Sequence, residues 1–110
     1  MGLFALGWFF TGTTGRAAEG VVKEVRASMF TLIDANGKPR AGLTVAKDGP
    51  VLGLSDENGK TRAMLVVSKD GPMLQLHEEN GKARAILAVN EDGPGMVLFD
   101  GNGKPIKSLP

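Results

Sequence analysis

The chain repeats one unit of 22 residues. Asn-Gly-Lys recurs four times at this spacing and Asp-Gly-Pro three times between the copies; the phrases begin at Asn36, Asn58, Asn80 and Asn102, and at Asp48, Asp70 and Asp92. A fixed period of this length indicates that one supersecondary unit has been duplicated. We therefore expect an array of similar elements, and not a series of unrelated ones.

The Asn-Gly pairs predict tight β-hairpin turns. A two-residue type I′ turn needs positive φ at both central residues, and Asn and Gly tolerate this best. With residues 58–59 at the turn centre, Leu54 lies opposite Ala63. Glu57 then lies opposite Lys60, an opposite-charge pair that reinforces the register.

The Asp-Gly pairs predict turns of the same kind at the other end of the strands. With residues 48–49 at the turn centre, Val45 lies opposite Leu52 and Leu43 lies opposite Leu54. Both kinds of turn place the same residues on the same side of the sheet. Because a slip of one residue would exchange the two sides, this agreement supports the assignment of faces.

The register divides the side chains into two faces. The first, which we name the Leu/Val face, is wholly apolar: Phe30, Leu32, Ala41, Leu43, Val45, Leu52, Leu54, Ala63, Leu65, Val67, Leu74, Leu76, Ala85, Leu87, Val89, Met96 and Leu98. The second, the mixed face, combines polar and apolar residues: Thr31, Ile33, Arg40, Gly42, Thr44, Val51, Gly53, Ser55, Arg62, Met64, Val66, Met73, Gln75, His77, Arg84, Ile86, Ala88, Val97 and Phe99.

The pattern predicts an all-β fold, an antiparallel meander of about eight short strands joined by hairpin turns. The predicted strands cover residues 28–34, 40–46, 50–55, 61–67, 72–77, 83–89, 95–99 and 105–108. A wholly apolar face must be covered. We expect either a closed barrel or roll, which would bury that face inside, or a homo-oligomeric β-prism, in which chains bury it against one another.

Composition narrows the classes of function. The 110 residues include 13 basic and 12 acidic side chains, mixed along the chain, for a net charge of +1. This balance gives no electrostatic reason to expect nucleic acid or an anionic membrane surface as partner. The chain has no cysteine, so it has no disulfides, thiolate metal ligands or cysteine nucleophile.

The first 18 residues differ from the repeats. Residues 1–10 are almost wholly apolar, and small residues follow as far as Ala17 and Ala18. The run is too short to span a bilayer, which takes about 20 apolar residues, and it resembles a secretory signal without a basic start. It predicts a cleaved leader, a retained anchor that would provide the chain's one membrane contact, or a core segment. Residues 19–110 form the predicted β-meander domain.

Three arginines, Arg40, Arg62 and Arg84, recur in register on the mixed face. Two strands separate successive arginines, which corresponds to roughly 9–10 Å. Such a row could bind the anionic groups of a polysaccharide or another cell-surface polymer through bidentate hydrogen bonds. Alternatively, each side chain covers apolar neighbours and pairs with an acidic turn residue such as Asp34, Asp56 or Glu78.

No residue pattern indicates catalysis or a cofactor. His77 is the sole histidine, and Ser55 and Phe99 stand in its place in the adjacent repeats, so we expect neither a catalytic nor a metal-ligating role. The acidic turns are similar to the start of a calcium loop, but strands carrying Lys and Arg follow them where further ligands would be needed. We expect no metal, no cofactor and no enzyme.

From Val22 to Lys104 the chain resembles uncharacterised bacterial exported proteins with tandem β-hairpin repeats of the form LxLxDxNGKxRAxLxVxxDGP. The unit is clearest over residues 52–72 and 74–94, while Pro105-Ile106-Lys107 departs from it as a terminal capping repeat would. The resemblance implies a β-repeat fold and an extracytoplasmic or secreted location in a bacterium, with membrane association only through the N-terminus. It implies no activity and no functional residue.

Together these features predict an exported structural or binding module without catalytic activity, which acts in self-association or adhesion. Its predicted partner is another copy of itself or a cell-surface polymer. The alternative is a domain that binds carbohydrate or an anionic polymer through Arg40, Arg62 and Arg84.

Overall fold

A computed structural model describes residues 20–110, and the predicted leader, residues 1–18, lies outside the described residues. All eight predicted strands are present, with ends within two residues of the predicted ones. They are β1 (Met29–Ile33), β2 (Pro39–Ala46), β3 (Gly49–Ser55), β4 (Thr61–Ser68), β5 (Gly71–His77), β6 (Ala83–Asn90), β7 (Gly93–Phe99) and β8 (Pro105–Leu109). The part of the chain that the structure describes has no helix that could cross a membrane.

The strands form one antiparallel sheet in chain order, β1 to β8. Each strand pairs only with its neighbours in sequence, because every connection is a short hairpin. Within residues 20–110, β1 and β8 do not pair with each other, so the sheet is open. The prediction of an all-β meander is confirmed, and the prediction of a closed barrel or roll is wrong: the strand number would permit closure, but the first and last strands do not meet.

The Asn-Gly loops contain one residue more than a two-residue turn. In the second loop the N–H of Asp56 donates to the carbonyl of Lys60 (2.8 Å), and the N–H of Gly59 donates to the carbonyl of Asp56 (3.0 Å). Gly59 has a φ of 84°, as expected for a type I turn followed by a left-handed residue. The prediction of a two-residue turn that pairs Glu57 with Lys60 is therefore wrong.

A β-bulge compensates for the additional loop residue. Ser55 pairs with Thr61 and Leu54 pairs with Ala63, so that Arg62 is an extra residue in β4. Loop and bulge together restore the predicted pairing of Leu54 with Ala63. The assignment of residues to faces therefore holds although the turn type was wrong.

The Asp-Gly turns are centred one residue earlier than predicted. Ala46 pairs with Gly49, so residues 47–48 form the turn, and Leu43 pairs with Leu52 and not with Leu54. The register differs from the prediction by two residues, which leaves each side chain on its predicted face. The glycine begins the next strand. At Gly49 and Gly71 close contact with a neighbouring backbone excludes a side chain, whereas a Cβ at Gly93 would meet nothing within 4 Å.

Neither face of the sheet is covered by another layer in the described part of the chain. No side chain there is fully buried. Along β3 and β5 the residues alternate, with half-buried side chains on the mixed face and exposed ones on the Leu/Val face. Because the mixed face has no covering layer, its side chains owe their lower exposure to contacts within the sheet.

Candidate functional site

The Leu/Val face carries two rows of side chains that cross the whole sheet, one apolar throughout and the other apolar as far as β7. The strand pairings align one residue from each strand in the longer-chain row: Phe30, Leu43, Leu52, Leu65, Leu74, Leu87, Met96 and Leu109. The second row alternates leucine with alanine until it reaches β8: Leu32, Ala41, Leu54, Ala63, Leu76, Ala85, Leu98 and Lys107. Each alanine lies beside a bulge, where the strands bend.

These side chains are exposed to an extent that is unusual for leucine. Leu52 and Leu74, in the middle of the longer-chain row, are each 37% exposed, and Leu65 and Leu87 are 45% and 48% exposed. Lys107 is the one charged residue in the two rows among the described strands. A continuous apolar patch of this kind usually marks an interaction surface, and the Leu/Val face is therefore the first candidate site.

The arginine row, Arg40, Arg62 and Arg84, is the second candidate. Each arginine is the extra residue of a β-bulge, at the end of the sheet that carries the Asn-Gly loops. A bulge redirects a side chain out of the regular alternation. The three guanidinium groups consequently reach the loop behind them and the strand beside them.

Each arginine joins the same two groups. The Nε of Arg62 donates to the carbonyl of His77 on the next strand (2.8 Å), and its Nη1 lies 3.6 Å from Oδ2 of Asp56 in the preceding loop. Arg40 makes the same contacts with Ser55 and Asp34. Arg84 makes them with Phe99 and Glu78: its Nε donates to the carbonyl of Phe99 (2.7 Å), and its Nη1 pairs with the carboxylate of Glu78. The interpretation that these arginines pair with acidic turn residues is confirmed.

The acidic residues at the start of the loops are held in their charged form. Oδ1 of Asp56 accepts hydrogen bonds from the N–H groups of Asn58 (2.9 Å) and Lys60 (3.0 Å). The bond from Lys60 contributes most to lowering the pKa of the Asp56 carboxyl, and the Arg62 charge lowers it further. Asp34 and Asp100 have lowered pKa values for the same leading reason, the backbone N–H two residues beyond the asparagine.

The third loop differs because Glu78 replaces the aspartate. Its pKa is lowered chiefly by the hydrogen bond from Arg84. The longer side chain does not take the Asp role inside the loop, and Oδ1 of Asn80 accepts the N–H of Lys82 instead (2.9 Å). The loop therefore keeps its shape with a different acceptor.

The arginine row retains some capacity for a ligand. The guanidinium-bearing side chains are between 37% and 43% exposed. Each uses Nε and Nη1 within the chain, and its Nη2 makes no hydrogen bond within the described residues. The nearby carboxylates compensate much of the positive charge. The row can thus offer single hydrogen bonds to an anion, but it does not form a strongly positive surface.

His77 lies half-buried on the mixed face, and its Nε2 is 2.8 Å from Oε1 of Gln75. Within residues 20–110, no group of three or more His, Cys, Asp or Glu side chains could hold a metal ion. The arrangement around His77 is a polar contact along one strand.

Two features of these sites were not predicted from the sequence. The strand-end carbonyls of Ser55, His77 and Phe99 bind the arginines, and the bulges place the arginines next to them. Arginine recurs four residues after each of the first three asparagines. With a three-residue loop, this spacing leaves the arginine as an extra residue in the strand, and it could have indicated the bulge. No protein-family model matches the chain, and no curated protein matches its sequence.

Proposed function

We propose that this chain is a structural or binding module of an exported protein, without catalytic activity, and that it acts by self-association through the Leu/Val face. The observation that supports this most is the exposure of every leucine in two rows, one apolar across all eight strands and the other apolar across the first seven. The location rests on the leader-like residues 1–18. Intact Met1 in the mature protein, found by N-terminal sequencing, would contradict cleavage of a leader.

The size of the face suits a second copy. Strands about 4.8 Å apart and about 17–20 Å long give the eight-stranded sheet a face of roughly 700 Å². Two such faces packed together remove roughly 1,400 Å² from water, within the range of about 1,200–2,000 Å² for stable interfaces. The apolar face of one copy is chemically complementary to the apolar face of another.

The oligomeric state tests this proposal. Size-exclusion chromatography with light scattering on the full chain is expected to give a multiple of the 11.5 kDa chain mass. Leu74→Glu places a carboxylate in the centre of the Leu/Val face, where burial of a charge against a second copy is strongly unfavourable. We expect this variant to shift to the single-chain mass or to lose its β structure.

Gln75→Glu is the matched control, because it introduces the same carboxylate at the next position, on the mixed face. It is expected to keep the oligomer mass. A wild-type chain that runs as a folded monomer at every concentration would contradict the proposal, as would equal effects of the two variants.

A second candidate function is the binding of carbohydrate or an anionic polymer by the arginine row. It is favoured by three partly exposed guanidinium groups in equivalent positions of successive repeats. Heparin affinity chromatography of the wild type and of a variant with Arg40, Arg62 and Arg84 all replaced by Gln tests this role. Retention that survives the triple substitution would contradict it, provided circular dichroism shows that the variant is folded.

A further inference from the structure

The two outer strands of the sheet have unpaired edges in the described part of the chain. β1 pairs only with β2, and β8 pairs only with β7. A free strand edge presents a row of backbone N–H and C=O groups, and another strand is the partner that satisfies them most completely.

The repeat specifies which strands can meet. Each unit has a first strand before the Asn-Gly loop and a second strand after it, and the second strand of one unit pairs with the first strand of the next. This rule gives the pairs Leu43 with Leu52, Leu65 with Leu74 and Leu87 with Met96. By position, β1 is a first strand and β8 is a second strand. The β8 of one copy and the β1 of another are therefore partners of the kind that the chain already uses three times.

The backbone of β1 presents Thr31 to the free edge. The N–H of Asp34 donates to the carbonyl of Lys38 (2.9 Å), on the side of β2. Successive residues of a strand direct their backbone groups to alternate sides. Leu32 and Phe30 therefore face β2 as well, and Thr31 between them directs its N–H and C=O outward.

The backbone of β8 presents Ser108 to its free edge. The N–H of Asp100 donates to Lys104 on the side of β8 (2.8 Å), so Met96 faces β8 too. Its partner Leu109 consequently faces β7, and Ser108 next to it directs its N–H and C=O outward.

The two free edges match in register. If β8 and β1 pair as β2 and β3 do, Leu109 lies opposite Phe30 of the second copy, and Ser108 lies opposite its Thr31. Ser108 and Thr31 then exchange two backbone hydrogen bonds, as Gly42 and Gly53 do within the chain. The longer-chain row continues without a break from Leu109, which is 48% exposed, to Phe30, which is 43% exposed.

We propose that β8 of one copy pairs with β1 of a second copy, so that the chains associate head to tail into a continuous sheet. This surface goes beyond the proposed function, since it uses the strand edges and not the Leu/Val face. A contact between two different edges leaves one of each free and can therefore extend. Three features keep the contact short and reversible: β8 has five residues, it begins with Pro105 and is followed by Pro110, and it places Lys107 in an otherwise apolar row.

Proline substitutions at the outward residues test the pairing. Thr31→Pro and Ser108→Pro each remove one outward N–H, and an edge strand tolerates proline at such a position. Ser108→Ala is the matched control because it keeps the backbone donor. We expect sedimentation velocity of the full chain to show growth with concentration for the wild type and Ser108→Ala, and about tenfold weaker association for either proline variant.

Mixing the two proline variants gives the decisive result. Thr31→Pro keeps an intact β8 edge and Ser108→Pro keeps an intact β1 edge. At a concentration where neither variant alone associates through its edges, an equimolar mixture is therefore expected to form larger species. This result is expected whether or not copies also pack through the Leu/Val face, and it thus separates the two proposals. Absence of larger species in the mixture, with both variants folded by circular dichroism, would overturn the edge pairing.

Discussion

Glycine has two different roles in this chain. Gly59, in an Asn-Gly loop, has a φ of 84°, and a Cβ there would meet nothing within 4 Å. Gly71 begins β5 with a φ of 119°, and a Cβ would lie 2.0 Å from the carbonyl oxygen of Val89. The first position requires glycine for its backbone conformation alone. The second requires it also because two strands approach each other too closely for a side chain.

Alanine substitutions should separate these roles. Gly59→Ala is expected to lower the free energy of unfolding by about 1–2 kcal/mol, the cost of a left-handed residue with a side chain. Gly71→Ala should cost more, about 3 kcal/mol or above, because the backbone of β5 or β6 must also move. Urea unfolding followed by circular dichroism measures both. Equal losses would contradict the close approach at Gly71.

The hairpins show what the alternation of apolar residues along a strand can and cannot predict. The pairing of Leu54 with Ala63 was predicted from a two-residue turn, and it is correct because the longer loop and the bulge at Arg62 offset each other. The alternation of apolar residues reports only whether a register is odd or even. It could not distinguish Leu52 from Leu54 as the partner of Leu43, nor locate the bulges that direct the arginines.

The arginine row should stabilise the loop end of the sheet. Arg62→Gln removes the ion pair with Asp56 and the hydrogen bond to the His77 carbonyl. Because the groups are partly exposed, we expect a loss of about 1 kcal/mol in the free energy of unfolding. Thermal or urea unfolding checks this value.

Arg26→Gln provides the control for the Arg62 experiment. Arg26 pairs with Glu24 outside the strands, and the two side chains are 84% and 63% exposed. Solvent screens such a pair, so the substitution should leave the unfolding midpoint unchanged. If Arg62→Gln had as little effect as Arg26→Gln, the arginine row would have no structural role.

The loop carboxylates predict a loss of stability in acid. The pKa values of Asp34, Asp56 and Asp100 lie below the ordinary value of 3.8, and that of Glu78 lies below 4.5. As the pH falls, the unfolded chain therefore takes up protons before the folded chain does. The stabilisation of the folded chain by these charged carboxylates is complete above the ordinary pKa values, and it is lost as the pH falls through the lower folded-state values. Unfolding measured between pH 7 and pH 2 should show the loss.

Asparagine variants identify the groups responsible for the acid effect. Asp56→Asn keeps an oxygen acceptor for the loop but no longer titrates, and it should make stability less dependent on pH. Asp48→Asn, in a turn at the opposite end of the strands, is the comparison. If stability depended on pH as steeply in Asp56→Asn as in Asp48→Asn, the assignment of the acid effect to the loop carboxylates would be contradicted.

At the scale of the whole molecule, the sheet lacks a second layer in the described residues. The sequence predicted every strand and the apolar face, since turn residues and alternation are local signals. It could not predict what covers that face, because an apolar side chain is equally suited to a barrel interior and to another chain. The exposed Leu52, Leu74 and Leu98, each between 36% and 37% exposed, show that the chain does not cover it by closure of the sheet.

The most direct test of this account is whether the stability of the sheet depends on protein concentration. If a second copy covers the Leu/Val face, folding is linked to association, and the urea midpoint of the β-sheet circular dichroism signal should rise over a hundredfold increase in chain concentration. A cooperative transition with the same midpoint throughout that range would contradict the account, because the open sheet would then be stable on its own.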